Sequence, residues 1–125
     1  MRIAIVGSRD YPCLQQVVDF INGLPEGTVV ISGGARGVDQ TAENAARARG
    51  LQVESYPVTP EQWRTLGRKA GMLRNTVLIE LSDTVVAFWD EQSKGTLDSI
   101  RKAEAANKLL CVLTPRDYAA SLAVA

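Results

Sequence analysis

The sequence predicts an α/β fold, a doubly wound parallel sheet of about five strands in the order 3-2-1-4-5 with helices on both faces. Short, near-continuously apolar segments alternate with longer segments of helical periodicity along the chain, and this alternation is typical of a parallel sheet covered on both faces. No internal repeat or low-complexity segment interrupts the alternation. Right-handed crossovers between parallel strands permit a doubly wound order such as 3-2-1-4-5.

Five apolar runs are the candidate strands, and each is bounded by a glycine, a proline or a polar turn. The first run is rich in β-branched residues and ends at Gly7, and the third ends at Pro57. The predicted strands cover residues 2–6, 28–31, 51–56, 84–89 and 109–113.

Four segments between these runs have the spacing of amphipathic helices. The first has four apolar residues on one face, namely Leu14, Val17, Val18 and Ile21. The second is rich in alanine and is closed by Gly50, a residue type that often follows a helix end. The second, third and fourth helices are predicted over residues 38–49, 70–81 and about 96–106.

The remaining segments and the length indicate one domain. Residues 58–68 are interpreted as a long connection anchored by Trp63, and the tail from residue 114 as a short helix or a frayed end. A chain of 125 residues is long enough to bury a core of its own. We therefore expect a single domain over residues 1–125, with a core of about 2–113 and a short C-terminal tail.

Composition excludes several kinds of protein and site. Fourteen basic residues balance fourteen acidic ones, so any anion site has to be local. The opening apolar run is about five residues long, against roughly 20 for a membrane helix, so we expect a cytoplasmic protein without a membrane partner.

Two residue types limit the chemistry of any site. Histidine is absent, which excludes histidine-based triads and metal sites. Cys13 and Cys111 are expected to be buried thiols, with a disulfide as the alternative.

Three loops after predicted strands combine glycine with a cation. Because the carboxyl ends of strands one, two and four meet at one edge, these loops should share a crevice. Glycine amides and a helix N-terminus suit phosphate, and arginine suits bidentate phosphate contact. The alternatives are steric glycines, solvated cations and ordinary helix caps. The candidate residues are Gly7, Ser8, Arg9, then Ser32, Gly33, Gly34, Ala35, Arg36, Gly37, Val38, Asp39, and finally Ser93, Lys94, Gly95 and Thr96.

Further candidates lie outside these loops. Arg74 and Asn75 are at the edge of the apolar face of the third helix and could lean toward the crevice, although a charged helix face explains them too. Trp89 ends the fourth strand and could stack on a base or pack in the core. Asp39 could bind a ribose hydroxyl or complement the helix dipole. We predict no cofactor and no metal, although Asp39, Asp90 and Asp98 could recruit Mg²⁺ beside a phosphate.

Taken together and in order, these motifs resemble the SLOG superfamily, and specifically its small YspA/YpsA-related branch. The resemblance spans residues 2–112 and is carried by the motifs above with Ala70-Gly71 and Ala87-Phe88-Trp89-Asp90. It implies a Rossmann-like fold that binds nucleotides or nucleotide-derived ligands, in bacteria or phages. Relatives include cytokinin-activating nucleotide phosphoribohydrolases, DNA-processing Smf/DprA proteins and sensor domains for ADP-ribose-type signals.

One departure from the superfamily bears on catalysis. The phosphoribohydrolases carry a glutamate where this chain has Ser99, and Asp98 is one residue away, which turns a side chain by about 100° on a helix. We therefore expect a nucleotide-binding module that senses, carries or sequesters its ligand. The alternatives are a nucleotide N-glycosidase or phosphohydrolase using Asp39, Asp90 or Asp98, and single-stranded nucleic-acid binding. The expected partner is a small phosphorylated nucleotide, with nucleic acid unlikely and a homo-oligomer possible.

Overall fold

Five parallel strands form the sheet, and the order is the predicted one. The computed structural model describes residues 1–124, with side chains to residue 120, and residue 125 of the predicted tail lies outside the described residues. The strands are β1 (Arg2–Gly7), β2 (Val29–Ser32), β3 (Gln52–Ser55), β4 (Thr84–Phe88) and β5 (Leu109–Leu113). They pair in the order β3-β2-β1-β4-β5, and every pairing is parallel. The doubly wound fold class is confirmed.

Six helices connect and cover the strands. The first two cover the sheet next to β1 and β2, and the last four follow β3, β4 and β5 along the chain. They are α1 (Leu14–Asn22), α2 (Val38–Ala48), α3 (Pro60–Leu66), α4 (Arg68–Leu81), α5 (Lys94–Ala105) and α6 (Pro115–Val124). Among residues 1–124, no helix combines the length and the apolar character needed to cross a membrane.

The core lies in two layers, one on each face of the sheet. Successive side chains of a strand point to opposite faces, and along β1 Ile3 and Ile5 join one cluster while Ala4 and Val6 join the other. The first cluster includes residues of α1 and α2, and the second includes residues of α4 and α5. Helices therefore cover both faces, as the apolar strands predict.

The predicted long connection over residues 58–68 is wrong, because it contains α3 and the first residue of α4. Thr59 caps α3: its Oγ1 accepts a hydrogen bond from the amide of Gln62 at 3.1 Å, and the Gln62 side chain accepts one from the Thr59 amide at 2.8 Å. Pro60 occupies the first turn, where proline is well tolerated. This reciprocal cap is readable in the sequence as Thr-x-x-Gln.

The structure also refines the expectations for α5, for the C-terminal tail and for the cysteines. Helix α5 begins at Lys94, two residues before the predicted start at Thr96, because Ser93 is its N-cap. The tail from residue 114 forms α6, and the Asp117 carboxylate accepts a hydrogen bond from the Thr114 amide at 2.7 Å. Cys13 and Cys111 are free thiols, and both are half-buried rather than fully buried.

Candidate functional site

A cleft of about 990 Å³ opens at the carboxyl edge of the sheet, where β1 and β4 end. Its lining comes mainly from the loops after these two strands and from α4 and α5. This is the point at which the strand order reverses, and doubly wound sheets bind ligands there. The cleft brings together most of the residues singled out in the sequence: Gly7, Ser8, Arg9, Ala35, Asp39, Arg74, Asn75, Asp90, Ser93, Lys94, Gly95, Thr96 and Asp98.

The loop after β1 is fixed by close packing and hydrogen bonds. A Cβ atom at Gly7 would lie 2.5 Å from Cγ1 of Val38, so only glycine lets α2 begin this close to the end of β1. Ser8 is buried, its Oγ accepts a hydrogen bond from the Asp90 amide at 3.3 Å, and it lies 3.4 Å from Oγ1 of Thr96. Ser8 therefore joins the loops after β1 and β4, while the next residue, Arg9, is exposed.

The start of α5 is organised by side-chain caps. The Ser93 Oγ accepts hydrogen bonds from the amide and the hydroxyl of Thr96, at 3.3 and 3.1 Å. Asp90 accepts the amide hydrogens of Gln92 and Ser93 at 2.9 and 2.8 Å. Although partial burial acts in the opposite direction, these backbone hydrogen bonds lower the pKa of Asp90 below its usual value. The Asp90 carboxylate is therefore ionised, and its hydrogen bonds stabilise the turn before α5.

Arg74 and Asn75 tie three elements together beneath the cleft. Arg74 Nη1 donates to the carbonyl of Gly33 at 2.6 Å, and a Cβ atom at Gly33 would lie 2.5 Å from the same nitrogen. Asn75 donates to the carbonyl of Gly95 at 3.3 Å and to the carboxylate of Asp98 at 3.2 Å. The pair therefore fixes the loop after β2 and the first turns of α5 against α4.

Asp39 is the most strongly perturbed carboxyl group of the site. It is only 5 % exposed, and Oδ2 accepts the amide hydrogen of Ala35 at 3.2 Å. Burial raises the pKa of Asp39 to about 6, against the opposing influence of the Ala35 amide and of the Arg74 charge. Burial also lowers the pKa of Arg74, although the Asp39 charge opposes that shift. Asp39 therefore changes charge near neutral pH beside the cations of the cleft.

The segment 32–39, expected to form one anion-binding loop, is divided between several roles. Ala35 and Asp39 line the cleft, and Gly33, Gly34 and Ala35 line a neighbouring small cavity. Ser32 is buried and its Oγ accepts the Gly34 amide hydrogen at 3.3 Å. Gly37 is the N-cap of α2, and Val38 packs under Gly7.

Two predicted ligand contacts lie away from both cavities. The side chain of Arg36 is 72 % exposed and pairs with Asp10 at 3.2 Å, and it lines neither cavity. The Trp89 indole donates to the carbonyl of Ser93 at 3.0 Å and packs against the core cluster under α4 and α5. Trp89 therefore packs against the core at the end of β4 and binds the Ser93 carbonyl. Packing is the alternative that the sequence left open for this residue.

Trp63 and Arg101 line the cleft although the sequence did not place them in the site, and Arg68 lines it too. Trp63 is 40 % exposed, and the guanidinium of Arg9 lies 5.9 Å from its ring centroid. Arg101 shares a face of α5 with Lys94 and Asp98, at i, i+4 and i+7, a spacing that the sequence does show. Trp63 could be placed only once α3 was recognised.

The charges of the cleft favour an anion. Among the side chains of residues 1–120, the cleft cations Arg9, Arg68, Lys94 and Arg101 take part in no ion pair.

The carboxylates are occupied, in contrast. Asp10 pairs with Arg36, Asp98 pairs with Lys102 at 2.9 Å, and Asp39 and Asp90 accept backbone hydrogen bonds. Within the described residues, no three histidine, cysteine or acidic side chains are grouped to hold a metal ion.

Known structures share this fold. DNA processing protein A (DprA) from Streptococcus pneumoniae matches 90 % of this chain with a TM-score of 0.75 and 22 % identity. DprA from Helicobacter pylori, a protein with a single-stranded DNA binding mode, matches 91 % of the chain with a TM-score of 0.62 and 23 % identity. The chain spans 49 % and 64 % of those two proteins. The likeness shows a Rossmann-like fold and is consistent with the SLOG superfamily.

This finding corrects the expected partner. The sequence favoured a small phosphorylated nucleotide and made nucleic acid unlikely, and that expectation is wrong because a protein of the same fold binds single-stranded DNA. The balanced total charge misled the expectation, since it does not reveal which charges are paired. Among the side chains of residues 1–120, the carboxylates of the cleft have partners, whereas four of its cations have none.

A relative in sequence defines the family. No protein-family model matches the chain. The Gene 61 protein of Mycobacterium phage D29 is 37 % identical over 114 residues, which cover 84 % of this chain and 90 % of that protein. The chain belongs to the family of the Mycobacterium phage D29 Gene 61 protein.

Proposed function

We propose that this protein binds single-stranded nucleic acid, with single-stranded DNA as the first candidate, along the cleft at the carboxyl edge of the sheet. The observation that carries the proposal is a set of four cleft cations that have neither an ion pair nor a side-chain hydrogen bond among the described residues, beside an exposed tryptophan that lines the same cleft. Proteins that bind single strands combine a positive groove for the backbone with aromatic rings for the bases. The DNA-binding mode of the Helicobacter pylori protein of the same fold supports this choice.

The chemistry of the cleft suits a strand in two ways. Phosphates would contact Lys94 at the N-terminus of α5, where the helix dipole also favours an anion, and Arg101 two turns further along the same helix. A base would stack on the exposed ring of Trp63, with the Arg9 guanidinium on that ring close to the adjoining phosphate. Paired bases of a duplex cannot reach such a ring without unstacking, so a single strand is the better ligand.

The proposal favours binding over bond cleavage. Each of the three carboxylates that could serve a hydrolase has hydrogen-bond or ion-pair partners that suit a structural role. We also propose that the protein falls in the small YspA/YpsA-related branch of the SLOG superfamily and that residues 1–125 form a single domain.

Substitution of Arg101 tests the proposal. Fluorescence anisotropy with a labelled oligothymidylate would give the affinity at several salt concentrations. Arg101→Gln should weaken binding about five- to tenfold at low salt. Because one phosphate contact is lost, the slope of log K against log salt should decrease in magnitude by about 0.7.

Arg47→Gln is the matched control. Arg47 is an exposed cation on α2 that pairs with Glu43 and does not line the cleft, so both affinity and salt slope should stay as in the wild-type protein. The proposal fails if the wild-type protein does not bind the oligonucleotide at low salt. It fails equally if the two variants lose the same affinity, because binding would then be a non-specific charge effect.

A further inference from the structure

A second, smaller cavity adjoins the cleft. We name it the glycine pocket: it has a volume of about 130 Å³ and is lined by Gly33, Gly34, Pro57 and Val58, together with residues that it shares with the cleft. The shared residues are Arg9, Ala35, Trp63 and Arg74. The two cavities therefore adjoin at a shared wall of these residues, in which the Arg9 guanidinium is 5.9 Å from the Trp63 ring centroid.

The chemistry of the glycine pocket differs from that of the cleft. Among the described residues that line it, two are cations and none is acidic, and Pro57, Val58 and Trp63 add apolar surface. A Cβ atom at Gly33 would collide with the Arg74 guanidinium at 2.5 Å, so the loop after β2 contributes backbone rather than side chains here. Apolar walls beside a cation suit a base with a phosphate next to it.

The glycine pocket is smaller than a site that holds a whole nucleotide. Small-molecule sites have volumes of about 300–1,000 Å³, a range that the cleft reaches and the glycine pocket does not. The glycine pocket can therefore hold only one part of a ligand whose remainder occupies the cleft. A polymer with a base on every repeat has that form.

We propose that the glycine pocket receives a base of the single strand, one nucleotide along from the base at the cleft, and that Arg9 holds the phosphodiester between them. This inference rests on the proposed function and makes it more specific: the ligand is a strand of two or more nucleotides rather than a mononucleotide. Arg9 is suited to the bridging role because it lies in the shared wall and has no carboxylate partner among the side chains of residues 1–120.

A length series with a pocket-filling variant tests this inference. Thymidine 5′-monophosphate and oligothymidylates of two to six nucleotides would be titrated as competitors against a labelled oligothymidylate. For the wild-type protein, the step from one to two nucleotides should tighten binding about tenfold or more. In Val58→Met, a longer unbranched side chain enters the pocket, and this step should shrink to about twofold while the mononucleotide binds as before.

Two controls make the result interpretable. Val77→Met makes the same change on an exposed position of α4 that lines neither cavity, and it should keep the full step. A dinucleotide in which the base expected in the glycine pocket is replaced by an abasic sugar should lose most of the tenfold step and keep about twofold, because its phosphodiester can still contact Arg9 but the second base is missing. Thermal denaturation would confirm that both variants are folded.

The outcomes separate this inference from the proposed function. If the wild-type protein binds no oligothymidylate of any length, both proposals fall. If it binds oligothymidylates but Val58→Met keeps the full step, or the abasic dinucleotide binds like the intact one, only the glycine-pocket assignment is overturned.

Discussion

The buried carboxyl group of Asp39 links stability to pH at a single residue. Its pKa is about 6 in the folded protein and 3.8 for an unperturbed side chain, so between these values the folded state binds more protons than the unfolded state. The contribution of Asp39 to stability is therefore full below pH 3.8 and is lost as the pH rises through 6. The difference corresponds to on the order of 3 kcal/mol.

Asp39→Asn should remove this pH dependence. Because asparagine does not ionise, the stability of the variant relative to wild type should increase from pH 4 to pH 7, as measured by urea unfolding. The charged groups that act on Asp39 are Arg74 and Arg9, which lower its pKa, and Glu43, which raises it.

The charge of Asp39 should also affect binding. Oligonucleotide binding by the wild-type protein should tighten as the pH falls through 6, and Asp39→Asn should have at pH 7 the affinity that the wild-type protein has at low pH. A parallel pH dependence in both proteins would contradict this assignment.

At this scale the sequence identified residue types better than side-chain directions. Ser8, Arg74 and Asn75 were singled out from their motifs, and each lines the cleft. Arg36 was expected to hold a phosphate, but its side chain pairs with Asp10 instead. The direction of an arginine in a glycine-rich loop depends on the backbone path and on nearby carboxylates, and neither can be read from residue spacing.

Among the elements, the strands were easier to predict than the short helix α3. Five apolar runs with β-branched residues predict a parallel sheet, since helices on both sides of such a sheet bury both faces of its central strands. α3 has no buried residue and is only seven residues long, so it lacks a wide apolar stripe. Its local signals are the Thr-x-x-Gln cap with Pro60 at its start and Gly67 at its end. Overlooking this element concealed the role of Trp63.

The capping box of α3 should therefore affect function more than overall stability. Thr59→Ala removes the Oγ1 acceptor of the Gln62 amide, which costs about 1 kcal/mol of local helix stability. Hydrogen exchange should accelerate over residues 60–66, and oligonucleotide affinity should fall because Trp63 is less well positioned. The midpoint of global unfolding should change little, since α3 contributes no core residue.

Thr65→Ala provides the control within the same helix. Thr65 is exposed, and its hydroxyl bonds only to the Glu61 carbonyl one turn earlier, so its replacement should leave both exchange and affinity near wild type. Equal effects of the two substitutions would show that α3 does not depend on its cap.

For the whole molecule, the two core layers explain why the fold was predictable, whereas the pairing of charges around the cleft was not. Hydrophobic burial follows from the apolar pattern, which the sequence displays directly. The electrostatic field around the cleft depends instead on which of the fourteen acidic residues pair with which of the fourteen basic ones. Those pairings are set by the three-dimensional structure. Asp98 with Lys102 and Asp10 with Arg36 are two examples.

The extent of the domain is the last property that can be tested at this scale. We expect a chain that ends at residue 114 to keep the fold and the binding site. Among residues 115–120 of α6, no side chain is buried, and the Arg116–Glu91 pair is exposed, so it contributes about 1 kcal/mol or less. Thr114, whose carbonyl accepts a hydrogen bond from Gln16 at 3.3 Å, is retained.

Urea unfolding of the shortened chain should remain a single transition with a midpoint only slightly lowered. Oligonucleotide affinity should stay within about twofold of wild type, because the described side chains of α6 line neither cavity. Loss of the cooperative transition would mean that the core extends into α6.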